Sequence, residues 1–258
     1  MARLDDLLDE KDRLRELDGW QIRRALVALK RSLGVFEANS RELQAFLGHD
    51  GDARKTRAVL EMIDFSNRQG FGQFLDETDR LLHNFLAAAE SLRDHAAAIQ
   101  RAYLPDVPGD ADTDEYWARE RVVFNSSLGA FVTELRNHVL HDRIPETDGF
   151  AVWSSEPADL KSGIALKTAE LLPARNWSKK ARRYMSEAGD DILIHEIAAD
   201  YRELVLDFYE WVDGAIRRRN EHALAELDSR EARVGEALKR AWGPPIDDPM
   251  GVPNDPGV

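Results

Sequence analysis

The stretch that most constrains this chain runs from Leu75 to Tyr103, where Leu75, Thr78, Leu82, Phe85, Ala89, Leu92, Ala96, Ile99 and Tyr103 follow at steps of three and four. An α-helix turns once every 3.6 residues, so this spacing lines one side of a long amphipathic helix. One helix cannot bury its own stripe. A second stripe is expected from a start signal at Asp190 and Asp191 through Ile194, Ile197, Tyr201, Leu204, Phe208, Trp211 and Ala215. It ends at Arg217, Arg218 and Arg219, and positive charge suits a helix C-terminus. A third helix, capped by Asp112-Thr113-Asp114-Glu115, is expected to carry Trp117, Phe124, Leu128, Phe131 and Leu135. Three such stripes bury one another most simply in an antiparallel bundle, so the expected fold is mainly all-α.

Two regions depart from the pattern. Gly149 to Leu172 holds two short apolar runs either side of Glu156-Pro157-Ala158-Asp159 and Ser162-Gly163, which reads as a small β-hairpin inserted in the bundle. Residues 1–66 carry apolar positions at Ile22, Leu26, Leu29 and Leu33, then Val59, Leu60 and Ile63. They are expected to form shorter helices packed outside a bundle spanning 67–241. Residues 242–258 include the tail GPPIDDPMGVPNDPGV, whose proline, glycine and aspartate content argues against a packed structure.

Composition removes several classes of chemistry. The chain has no cysteine, so thiolate catalysis, disulfides, zinc fingers and iron–sulfur clusters are excluded together. A net charge of −13 argues against coating nucleic acid through a dominant basic face, yet leaves room for an acidic nuclease with a small basic site. No apolar segment has the length of a signal peptide or a membrane span, so the expectation is a cytoplasmic protein with no membrane partner. His195-Glu196 lacks the second histidine of a zinc-protease helix, because Ala199 stands in its place. Glu134 and His138 share a helix face, but di-metal bundles use Glu and His three apart, duplicated on a second helix, and no duplicate exists. There is no glycine-rich phosphate loop and no nucleophile elbow. No cofactor and no metal are expected. Lys179, Lys180, Arg182 and Arg183, after Trp177, form a basic cluster that reads either as the solvated start of a helix or as a set of RNA-phosphate contacts.

One segment gathers chemistry. TELRNHVLHDRIP, Thr133 to Pro145, places Arg136, Asn137 and His141 at the end of an apolar stripe and before a proline stop. Arg217 and His222 repeat the bare spacing, but Arg218 occupies the place of the polar residue. The Arg-Asn-x-x-x-His pattern resembles the active-site motif of the HEPN superfamily, all-helical domains that include metal-independent ribonucleases. FVTELRNHVLHDRIP, the upstream LLHNFLAAAESLRDH and the later NWSKKARRYM are similar to segments of uncharacterised bacterial HEPN-like proteins, so the resemblance covers roughly residues 70 to 225. It implies a homodimer in which two motifs face each other across a two-fold axis, RNA as substrate, and a place among toxins or antiviral effectors. Some family members carry a tyrosine two residues after the histidine as a target of a paired antitoxin enzyme. Here that residue is Arg143.

On an ideal helix Asn137 and His141 lie one turn apart on the same side, while Arg136 is rotated by about 140° from His141. Convergence requires the reach of arginine, a loosened helix end, or a second copy. In such a pocket His141 would serve as general acid or base, the role for which an imidazole is suited near neutral pH. Arg136 would stabilise charge on the phosphate oxygens, and Asn137 would orient its neighbours. An ion pair from Arg136 to an acidic neighbour, with Asn137 as a cap, would produce the same sequence. The alternative is therefore a non-catalytic helical module that binds RNA or a protein partner. His138 and His83, which fall among apolar positions, are expected to pack rather than react.

Overall fold

The computed structural model describes residues 4–48, 68–152, 161–173 and 177–242. Val59, Leu60 and Ile63, the Glu156–Asp159 turn and the tail from residue 243 lie outside the described residues. The helices are α1 (Leu4–Arg13), α2 (Asp18–Phe46), α3 (Arg68–Tyr103), α4 (Ala111–Phe124) and α5 (Ser127–His141). After the strands β1 (Thr147–Val152) and β2 (Lys161–Lys167) come the short α6 (Thr168–Leu171), α7 (Lys179–Ala188), β3 (Asp191–Leu193), α8 (Ile194–Arg219) and α9 (Glu221–Trp242). The mainly all-α expectation holds. Two compact units make up the chain, one from residues 1–27 with 217–258 and one from 28–216. The boundaries fall inside α2 and α8, a division different from the one expected at residues 66 and 67.

In the smaller unit Leu14, Leu227 and Val234 are buried together, with Leu17, Trp20 and Leu238 packed against them. Gly19 lets α2 approach α9 closely, since a Cβ there would lie 2.1 Å from the Ala223 carbonyl oxygen. Arg23 donates to Glu231 at 2.6 Å and also to Asp228.

The larger unit holds the motif. Its core is aromatic at the centre: Phe36 of α2 lies 5.6 Å from Phe85 of α3 and 6.2 Å from Tyr201 of α8, ring centre to ring centre. The residues from Ala28 onward on α2 therefore belong to this core, where Phe36 and Leu43 are fully buried. One continuous 29-residue helix stands where the sequence suggested shorter external ones.

The expected third helix is two helices, α4 and α5. Asn125 ends α4, and the Ser126 hydroxyl caps α5 by accepting from the Gly129 backbone N–H at 3.0 Å. Gly129 allows the corner, because a Cβ would sit 1.9 Å from the Val123 carbonyl oxygen. The cap of α4 is Asp110, which accepts from the Thr113 backbone N–H at 3.2 Å, two residues before the expected start signal.

The expected hairpin is present as β1 and β2, with Gly149 opposite Ile164, and Ser162 and Gly163 lie inside β2 rather than at a turn. β3 extends it to a three-stranded antiparallel sheet in the order β1-β2-β3. Asp191 thus belongs to a strand and not to a helix start. Lys167 Nζ donates to Asp191 across the pair at 2.6 Å, and Ile164, Ala165 and Leu166 are fully buried. Thr147 on β1 donates to Asp79 on α3 at 3.1 Å, fixing the sheet beside the long helix.

Candidate functional site

Helix α5 is held by its apolar stripe. Phe131, Val132, Leu135, His138 and Val139 are buried, so the opposite side and the last turn remain for polar residues. Phe131 stacks on Tyr184 of α7 at 4.8 Å and on Trp177 at 5.7 Å, and the Trp177 indole donates to the Leu171 carbonyl at 2.7 Å. These contacts dock α7 on α5. His138 is 8% exposed, its ring 5.8 Å from that of Trp177, and its Nδ1 lies 3.1 Å from Asp142. It packs as expected. His83 is half-buried on α3.

The other motif residues lie at the end of the helix. Arg136 is half-buried, and its Nη1 donates to Asn137 Oδ1 at 3.0 Å. This bond ties Arg136 to its neighbour Asn137, and on an α-helix Asn137 shares a side with His141 one turn later. Its Nε is buried without a hydrogen-bond partner, and no described carboxylate pairs with it. His141 is exposed. The helix ends there, with the backbone N–H groups of Asp142 and Arg143 both donating to the His138 carbonyl, four residues before Pro145. Asn137 is therefore not a terminal cap. Arg143 points to Glu170, 3.5 Å away.

The basic cluster is drawn to α5 by a residue considered from sequence only as a metal ligand. Glu134 Oε2 accepts from the Ser178 backbone N–H at 2.7 Å, at the start of α7. No local signal marks it in the sequence, because the two partners are 44 residues apart and meet only when the helices pack. Three of the four cations have intramolecular partners. Lys180 donates to the Asn125 carbonyl at 2.6 Å, Arg182 to the Trp177 carbonyl at 3.2 Å, and Arg183 pairs with Glu187 at 2.7 Å. Lys179 is exposed. Among the described residues, no group of three or more His, Asp or Glu is placed to hold a metal ion, and no helix is long and apolar enough to cross a membrane.

Chemically, the end of α5 offers a fixed cation, an amide and an accessible imidazole. Side chains of these types can contact a phosphate oxygen and exchange a proton. Set against known family models, curated proteins and solved structures, the chain has no match.

Proposed function

We propose that this protein is a metal-independent endoribonuclease of HEPN type, acting as a homodimer, with Arg136, Asn137 and His141 as its catalytic residues. The observation that carries the reading is Arg136, which has no carboxylate partner among the described residues and instead bonds Asn137 beside the exposed His141. The reaction is attack of the RNA 2′-hydroxyl on the adjacent phosphorus. His141 accepts the hydroxyl proton, the 5′ oxygen leaves carrying a proton, and a 2′,3′-cyclic phosphate remains. Arg136 neutralises charge growing on the non-bridging oxygens. One imidazole cannot hold both protonation states at once, so the His141 of a second copy would supply the acid. Leu140 and Ile144, 39% and 48% exposed, flank His141 and provide apolar surface on which a second copy could seat. A toxin or phage-defence effector, cytoplasmic and controlled by a protein partner, is the setting we assign to this activity.

A second reading is favoured by one observation. Lys180, Arg182 and Arg183 already have intramolecular partners, which leaves little cationic surface for an RNA strand. A non-catalytic helical module that binds RNA or a protein accounts for that. Purified protein incubated with mixed RNA in EDTA, beside Arg136→Ala and His141→Ala, separates the two readings. Cutting by the wild type that both substitutions abolish supports the nuclease, and equal activity in all three preparations, or none in the wild type, supports the module.

A further inference from the structure

Away from the motif, α3, α4 and α8 line a half-open cavity of about 440 Å³, within the size range of small-molecule sites. The α4 and α8 walls are aromatic. Tyr116 lies 5.6 Å from Phe208, and Phe124 lies 5.7 Å from Phe208 in an edge-to-face pair, ring centre to ring centre. The α3 wall is cationic. Arg93 sits over the Phe124 ring at 5.1 Å, with the Glu90 carboxylate 4.0 Å from its Nη1. Arg101, two turns along the same face, is exposed and has no ion pair among the described residues.

Two carboxylates also line the space, but each already accepts a hydrogen bond. Asp106 takes the Trp117 indole N–H at 3.1 Å, and Glu120 takes the Asn125 amide at 3.3 Å. They repel an anion from their own side and leave the α3 side to receive it. The last feature is Tyr209, which helps form the wall, is 2% exposed, and has a buried hydroxyl with no hydrogen-bond partner among the described residues. Buried donors without acceptors are uncommon in folded proteins. Burial also raises the pKa of Tyr209 well above that of an ordinary phenol, so the hydroxyl stays a donor at neutral pH.

We propose that this cavity binds a small planar aromatic carboxylate, with its ring against the wall that Tyr116, Phe124 and Phe208 form, its carboxylate at Arg93 and Arg101, and a polar ring atom or carboxylate oxygen accepting from Tyr209. The site is independent of the nuclease motif, since none of Arg136, Asn137 and His141 lines it. Its occupant is a metabolite-sized ligand and not an RNA strand.

The test is calorimetric titration of the full chain with indole-3-acetate and with its uncharged amide, indole-3-acetamide, repeated on Arg101→Gln and Tyr209→Phe. The acid binds, and the amide is at least about tenfold weaker, as expected when a charged hydrogen-bonding partner is removed. Arg101→Gln brings the acid down to the level of the amide, and Tyr209→Phe weakens the acid several-fold. Tyr209→Phe also raises the thermal midpoint of the ligand-free protein, because it removes a buried donor that lacks an acceptor. No heat from either compound at about 1 mM, equal affinity for acid and amide, or an acid affinity that neither substitution changes would each overturn the proposal.

Discussion

Glu134 Oε2 accepts a 2.7 Å hydrogen bond from the backbone N–H of Ser178, joining the middle of α5 to the N-cap of α7. The bond satisfies an otherwise free donor at the helix start and places a negative charge at the positive end of its dipole. Glu134→Ala should therefore lower stability by about 1 kcal/mol, read from the urea midpoint, with Glu134→Gln recovering part of it through its amide oxygen. A Glu134→Ala midpoint equal to wild type would show that solvent replaces the bond without loss.

The two histidines of the motif should separate cleanly. His138 is buried against Trp177, so His138→Ala should cost about 1–3 kcal/mol of stability while leaving cleavage per folded molecule largely intact. His141 is exposed, so His141→Ala should change stability by no more than about 0.5 kcal/mol and lower cleavage by about 10²–10⁴-fold. Thermal melts and initial rates on the same preparations check both statements. The reverse pattern would exchange the roles of the two residues.

Gly129 meets a backbone carbonyl, not a flexible side chain, at 1.9 Å from its would-be Cβ. Gly129→Ala cannot be relieved by a rotamer change and should destabilise by about 3 kcal/mol or more, because α4 and α5 must move apart. A melt followed by circular dichroism measures it. A loss below about 1 kcal/mol would mean that the corner between α4 and α5 is more compliant than the contact implies.

Asp79 carries a pH signature. Burial raises its carboxyl above the ordinary range, the Thr147 hydroxyl pulls it back, and the charge of Asp76 adds to the rise. A folded-state pKa above the unfolded one means that stability from this group is fully present below the unfolded value, near 4. It is lost as pH climbs through the raised value. Asp79→Asn keeps an oxygen for Thr147 and cannot ionise. It should melt above wild type at pH 7, with the difference vanishing near pH 3. A gain that is equal at both pH values would point to packing and not ionisation.

These outcomes also mark what could be read in the amino-acid order. The stripe of α3 was legible because it runs unbroken for eight turns, and the burial of His138 followed from the stripe of α5. The break at Asn125 and Ser126 was hidden, because Phe124 and Leu128 keep the helical spacing across it. Only the Asn-Ser-Ser and Gly129 signals mark the corner. β3 is three residues long and exists through pairing with β2, so it has no period of its own. α9 was missed because few of its side chains are buried: Leu227 and Val234 lie seven residues apart with Arg230 between them. Of the candidate site, the residue types and their helix end were legible. The bond from Arg136 to Asn137 was not, because it depends on a side-chain path that angular spacing alone does not give.

The central claim is that Arg136 and His141 assist attack by the RNA 2′-hydroxyl. It is tested most directly by the ends of the products formed from a 5′-labelled single-stranded RNA in EDTA, with His141→Ala in parallel. The account predicts 2′,3′-cyclic phosphate ends that appear with the wild type and are lost in the variant. Products ending in a 3′-hydroxyl, equal cutting by both proteins, or an uncut RNA would contradict it.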